Sequence, residues 1–206
     1  HDIQKSMIYY KKASEFEYSD AQSNYGVSLQ DTGWKNKPNI KEGARFLRES
    51  AKQGNINGMF NYGLILLNGI GVEKNVAKAE KYLKKSADLG SKEAQSELGL
   101  HILGSNKVTP ERIEEGLKYI KKAINQNYPE AMAQYAYLLL NGKNIERNYK
   151  LAIDYFKKAA DLGHIESMIE FADGNMIGKE IPQNKEIALK YYKLAACNGH
   201  EIAKMR

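Results

Sequence analysis

Cysteine is almost absent. Cys197 stands alone, so no disulfide can close within the chain and a disulfide-stapled scaffold is excluded. No Asn-X-Ser/Thr sequon occurs either, and together these absences lean toward a reducing, cytoplasmic compartment. Localisation is otherwise open, because the chain starts at His1 rather than Met and its native N-terminus is expected to be missing. No stretch approaches the roughly 20 apolar residues of a membrane span; runs such as residues 64–67 are far too short. Only four prolines interrupt the chain, and no strand-like alternation or hairpin signal breaks what is left. Histidine is scarce as well, and His200-Glu201 lacks the second histidine four residues on that a zinc-protease helix needs.

What is present is a repeat. One aromatic column runs Tyr9, Phe46, Tyr82, Tyr119, Tyr155, Tyr191, in steps of 36 or 37 residues. A column of small residues, Gly26, Gly63, Gly99, Ala136 and Ala172, keeps the same register, as does a third of alanine or serine, Ala13, Ser50, Ser86, Ala123, Ala159 and Ala195. Three columns in one register mark a repeat architecture. The chain reads as a single repeat domain over residues 1–206: a partial unit at 1–19, full units near 20–55, 56–91, 92–128, 129–164 and 165–200, and the start of another at 201–206.

Each unit is predicted to hold two helices. Residues 59–67 are apolar on several sides, and Asn68, Gly69 and Gly71 then stop that helix. A second helix over about 76–89 carries Ala79, Tyr82, Leu83, Ser86 and Ala87 at helical spacing, closed by Gly90. Thr109-Pro110-Glu111 supplies an N-cap, a first-turn proline and a favourable acidic residue in the third unit. The small column lets neighbouring helices approach closely. One unit cannot bury its apolar faces alone, but stacked units can. Partial units at the ends are therefore expected to leave apolar surface around Met7, Tyr9 and Tyr10 and around Tyr191, Tyr192 and Leu194, with end-to-end self-association as a consequence.

The second unit, with Tyr62, Gly63, Leu67, Asn68, Gly69, Gly71, Val72, Lys78, Ala79, Tyr82, Lys84, Ala87 and Gly90, resembles the Sel-1-like repeat family, and the resemblance spans nearly the whole chain. The Gly-x-Gly-Val turn is kept only there; the first unit has Gly33-Trp34-Lys35, and the third has an extra residue around 105–108. The resemblance implies an all-α, right-handed α/α superhelical solenoid of 36 to 37 residue helix-turn-helix units, related to the tetratricopeptide solenoids, whose period is 34. It also implies a scaffold or adaptor role. Family roles include endoplasmic-reticulum quality control, bacterial signalling and action of bacterial proteins on host cells.

Chemistry is hard to find. Gly69-Ile70-Gly71 lacks the preceding strand and third glycine of a dinucleotide motif. No serine stands in a recognisable nucleophile context, and His164 and His200 share a helix-start position. The chain is read as no enzyme, with no catalytic residue, no metal site, no cofactor and no small-molecule substrate. Basic residues outnumber acidic ones, 31 to 25. Lys11, Arg48, Lys84, Lys121, Lys157 and Lys193 form a second-helix ladder that offers an alternative reading, a basic surface for nucleic acid or acidic membrane. Against it, Glu80 and Asp154 stand four residues before Lys84 and Lys158, at the spacing of intrahelical pairs, and no aromatics are placed for base stacking.

The favoured reading is a protein or peptide partner bound on a concave face lined by the first helices. Counting from Ala21, Gly58, Ala94, Ala131 and Ser167 as zero, the core takes positions four, five and eight. Position three then holds Asn24, Asn61, Glu97, Gln134 and Glu170, and position seven holds Ile65, His101 and Leu138 among others. Scaffold columns fix the shape while this row varies, as a binding row in a repeat protein does. Ile65 and Leu138 are the expected apolar anchors, with Asn61, Gln134 and His101 bonding a partner's backbone.

Overall fold

A computed structural model describes residues 3–32, 37–106, 108–201 and 203. Among these residues every element is an α-helix: α1 (Ile3–Glu15), α2 (Ser19–Thr32), α3 (Lys37–Lys52), α4 (Ile56–Asn68), α5 (Val76–Asp88), α6 (Lys92–Gly104), α7 (Pro110–Asn125), α8 (Pro129–Asn141), α9 (Tyr149–Asp161), α10 (Ile165–Ile177) and α11 (Lys185–Cys197). No described helix is long and apolar enough to cross a membrane.

Short polar side chains start the helices. Asn75, Asn148 and Asn184 each accept the N–H three residues on, opening α5, α9 and α11 with nearly the same extended backbone. Asn55 and Thr109 do so for α4 and α7. Such a cap satisfies a donor that the first turn otherwise leaves unpaired and contributes about 1 kcal/mol. First helices stop at glycine: Gly69, Gly142 and Gly178 sit in the left-handed region, at φ of 74°, 65° and 64°, where a side chain is disfavoured.

The helices form two compact units, His1–Leu98 and Gly99–Arg206. In the first, α2 packs on α3, α3 on α4 and α4 on α5; in the second, α8 packs on α9, α9 on α10 and α10 on α11. From Phe46 onward, the residue after each aromatic of the first column points inward, and Leu47, Leu83, Ile120, Phe156 and Tyr192 are all within 4% of full burial. Each such side chain contributes roughly 1.5–3 kcal/mol by leaving water. The small column makes room for them: a Cβ on Gly26 or Gly63 would stand 2.8 Å from Cγ of Leu47 or Leu83, and one on Gly99 would stand 2.5 Å from Ile120.

Two columns acquire a reason. The aromatic column meets a first-helix ring edge-on in four repeats, Tyr25 with Phe46, Tyr62 with Tyr82, Tyr135 with Tyr155 and Phe171 with Tyr191, at centroid distances of 4.8–5.0 Å. Edge-to-face pairing is favoured by the ring quadrupole. Ser50 and Ser86, both fully buried, donate to the carbonyls of Ser19 and Ile56 at the start of their own repeat's first helix, at 2.7 and 2.9 Å. Where alanine replaces serine in that column, the bond is absent and the packing is kept.

The apolar ends match expectation only in part. Tyr9 is 71% exposed, Tyr10 is only partly so, and the side chain of Met7 lies outside the described residues. Tyr191 and Tyr192 are buried at 7% and 4%, because α11 turns both toward α10; Leu189 and Leu194 are the residues it leaves open.

Candidate functional site

In unit His1–Leu98, α2 and α4 diverge enough to leave a cleft of about 380 Å³. Val27, Leu64, Ile65 and Ile70 form its apolar walls and Leu47 of α3 lies beneath. Its polar groups are carboxamides, Gln30, Asn61 and Asn68, and α4 carries no charged residue at all. Gln30 donates to the Ile40 carbonyl at 3.0 Å, which fixes the orientation of its amide, and its Oε1 is left buried without a partner. Asn68 donates to Leu64 O at 3.0 Å. The Asn61 amide has no hydrogen-bond partner among the described residues. A neutral amide offers a donor and an acceptor side by side, the pattern that matches a peptide group.

The expected row divides. Asn61 and Ile65 border the cleft. Asn24 is exposed beside it on α2 without lining it, and Glu97 is half-buried on α6. Ile65 and Leu138, expected as anchors, are each 6% exposed and belong to the core clusters of their units, so little of either side chain is offered to a partner. At about 100° per residue, positions three, six and ten lie opposite a core at four, five and eight, while position seven sits at its edge. The cleft accordingly uses Val27, Leu64 and Asn68, which the three-and-seven row omits.

In unit Gly99–Arg206 the corresponding face carries more polar groups, although Leu100 and the exposed Ile177 also lie on it. Tyr137, at position six and 39% exposed, donates to Glu170 at 3.0 Å. Burial of its ring, then the charges of Glu170, Glu166 and Glu130, push its hydroxyl far up from the ordinary value. Gln134 donates to Glu130 at 3.3 Å, and His101 is half-buried on α6.

Glu130, His164 and Ser167 stand in the contact order of a hydrolase triad: His164 Nε2 is 3.0 Å from Glu130 Oε2, and Nδ1 is 2.8 Å from Ser167 Oγ. They do another job. Nδ1 also accepts the Ser167 backbone N–H at 3.2 Å, which makes it the cap of α10 and places the ring proton on Nε2, facing Glu130. Ser167 is fully buried, out of a substrate's reach. No set of three or more His, Cys, Asp or Glu suited to a metal occurs among the described residues. The lysine ladder is partly spent within the fold: Arg48 pairs with Glu49 at 3.1 Å and Lys157 with Asp161 at 2.6 Å. Lys158, expected beside Asp154, instead stands over the Tyr155 ring at 4.8 Å.

Comparison with known proteins agrees with this architecture. The chain is 31% identical over 116 residues to an uncharacterized protein of Neisseria meningitidis serogroup B, a match covering 56% of this chain and 24% of that protein; the chain thus spans a minor part of that relative's length. A protective antigen of uropathogenic Escherichia coli displaying an SLR fold superposes with a TM-score of 0.74 at 24% identity, over 96% of this chain and 42% of the antigen. A Sel1 repeat protein from Oxalobacter formigenes superposes with a TM-score of 0.77 at 21% identity, over 98% of this chain and 86% of its own. At such identities these likenesses establish the helical solenoid fold alone. The Sel1 repeat model matches residues 1–15, 19–55, 56–91, 92–128, 129–164 and 170–200. With matches along nearly its whole length, the chain belongs to the Sel1 repeat family, whose members are in general modules of protein–protein interaction.

Proposed function

We propose that this chain is a non-catalytic adaptor that holds a protein partner on its first helices, an extended segment of that partner lying across the α2–α4 cleft. The observation that carries the reading is the pairing of apolar walls, Val27, Leu64 and Ile70, with an uncommitted amide at Asn61. The walls take an apolar side chain out of water, and the amide bonds the backbone that bears it. The cleft is small enough for a side chain and open enough for the strand that carries it. The lack of charge on α4 selects against highly charged segments, and desolvating a charge beside these walls is costly.

Selection of random phage-displayed peptides against the purified chain tests this. Enriched sequences should share a Leu-, Ile- or Met-type residue and lose binding at least tenfold to Leu64→Asp or Asn61→Arg. Both substitutions lie on partly exposed positions and should leave the helical circular dichroism intact. Exchange of Lys84, Lys121 and Lys157 for Glu should leave the same peptides bound. Binding that survives the cleft variants and is abolished by the lysine exchange sinks the proposal.

A further inference from the structure

On α3, Lys41, Arg45 and Arg48 are spaced four and three residues apart, so successive turns stack them on one face. All three are exposed. Together with Ala44, Tyr62 of α4 and Val72 of the following turn, they line a cleft of about 290 Å³ within unit His1–Leu98. Among the described residues no carboxylate belongs to the lining. Among the described residues Lys41 and Arg45 take part in no ion pair. The Arg45 guanidinium carbon stands over the Phe46 ring, 4.6 Å from its centre, a cation–π contact that takes up none of its N–H donors. Arg48 is held on one side only, its Nε and Nη2 lying 3.2 and 3.1 Å from the same Glu49 oxygen.

A second feature points the same way. Tyr62 is 2% exposed, yet its hydroxyl has no hydrogen-bond partner among the described residues. Tyr62 lines the cleft, and its hydroxyl is not one of the atoms sealed from solvent. A phenol held this deep ordinarily finds a partner. Lys78 adds a further positive charge, its Nζ lying 5.6 Å from the centre of the same ring.

Every polar side chain of the lining is thus able to donate, and three carry positive charge. The complement is a group that only accepts, as an ionised carboxylate does, and the arginine fork matches its two oxygens. The size suits a side chain and is small for a nucleotide. Phosphate sites commonly draw on free backbone N–H groups at helix starts or nests, whereas Ala44, Arg45 and Arg48 lie inside α3, where those groups are already bonded. Nor is the trio a by-product of the repeat: the aligned positions read Gln4, Ile8, Lys11 in α1, Ala77, Lys81, Lys84 in α5, Glu114, Lys118, Lys121 in α7, Lys150, Asp154, Lys157 in α9 and Glu186, Lys190, Lys193 in α11. Only α3 carries a cation at all three.

We propose that this cleft is a second docking point, taking the carboxylate side chain of an acidic segment of a protein partner: Arg45 forks the carboxylate, Lys41 and Arg48 supply charge, and Tyr62 donates from beneath. Arg45 also borders a separate cleft with Glu15, Glu17 and Glu49, so a ligand must draw it away from these neighbours. The site stands independently of the α2–α4 cleft.

The test is amide and tyrosine-ring NMR titration of the intact chain with a blocked alanine peptide carrying two adjacent glutamates. Its glutamine counterpart and inorganic phosphate serve as controls. The glutamate peptide should shift Tyr62, Ala44 and Val72 selectively, more weakly as salt rises. Lys41→Gln with Arg45→Gln should weaken binding at least tenfold, and Tyr62→Phe should weaken it severalfold while keeping the ring pair with Tyr82. Absence of these shifts, an equal response to the glutamine peptide, or an equal response to phosphate at the same concentration would overturn the proposal, the last by showing a pocket for any small anion.

Discussion

Tyr191 of α11 donates its hydroxyl to Asp161, the last residue of α9, at 2.6 Å, while Lys157 holds the other carboxylate oxygen at 2.6 Å. The bond ties the second helix of one repeat to that of the next, in a unit where α10 lies against both. Burial, and then the bond to Asp161, raise the Tyr191 hydroxyl to about 12. For Asp161, burial works toward a higher value, and the bonds from Lys157 and Tyr191 outweigh it to hold the carboxyl below its ordinary range.

These shifts give stability a pH dependence of known sign. Between about pH 10, where tyrosine ordinarily ionises, and about 12, the folded chain keeps a proton that the unfolded chain has lost, so stability falls as pH rises through that window. Tyr25, Tyr135, Tyr137 and Tyr149 are raised as well and act in the same direction. Urea midpoints at pH 8, 10, 11 and 12 should decline steadily above 10. Tyr191→Phe should cost about 1.5 kcal/mol at pH 8, the worth of a hydrogen bond to a charged group, and flatten the decline. An unchanged alkaline slope in the variant would show that Tyr191 titrates normally.

Gly63 and Gly90 predict opposite kinds of failure. A Cβ at Gly63 meets Leu83 Cγ at 2.8 Å in a core where Leu83 is fully buried, so Gly63→Val should cost on the order of 1–3 kcal/mol by overpacking. Leu83→Val in the same chain should recover part of that loss. At Gly90 nothing lies within 4 Å, but φ is 101°, so Gly90→Ala is resisted by the backbone alone, at about 1–2 kcal/mol. No change at Leu83 should relieve it. Double-mutant cycles on urea midpoints separate the two.

The scaffold was legible in the sequence because packing repeats: one side chain occupies the same place in each repeat, and the columns of Gly63, Tyr82 and Ser86 record it. The α2–α4 cleft was less so. Its walls come from three helices and a turn, Val27, Leu47, Leu64 and Ile70, and no single period brings them together. Position seven is one turn from position three, yet at about 100° per residue it falls at the edge of the core stripe, where Ile65 is buried. The idle hydroxyl of Tyr62 leaves no trace in the sequence, since every other tyrosine of that row reads the same. The asparagines at 75, 148 and 184 could have been found, because they keep the repeat register and asparagine there is a cap signal.

Asn144 has the left-handed conformation, φ 60°, that glycine takes at Gly71 in the second repeat. Its amide nitrogen donates to Leu103 O and Ser105 O at 2.8 and 2.9 Å, satisfying carbonyls left open at the end of α6. The adjacent Lys143 bonds Asn106 at 3.0 Å. Asn144→Gly should therefore relieve the backbone yet still destabilise, by about 1 kcal/mol net of the two lost bonds. Asn144→Ala loses the bonds and keeps the strain, and should be the worse of the two. A variant with glycine more stable than the parent would mean that the two bonds contribute nothing.

His164 caps α10 through a ring nitrogen that can accept only while it carries no proton. Asparagine caps α4, α5, α9 and α11 by the same i to i+3 bond, so His164→Asn should preserve the cap while breaking the contact to Glu130. His164→Ala removes both and should cost about 1–2 kcal/mol, with Ser167 N–H left buried and unpaired. If the trio of Glu130, His164 and Ser167 is structural, the asparagine variant keeps most of the parent's thermal midpoint and the alanine variant does not. Equal losses in both would assign the stability to the Glu130–His164 contact rather than to the cap.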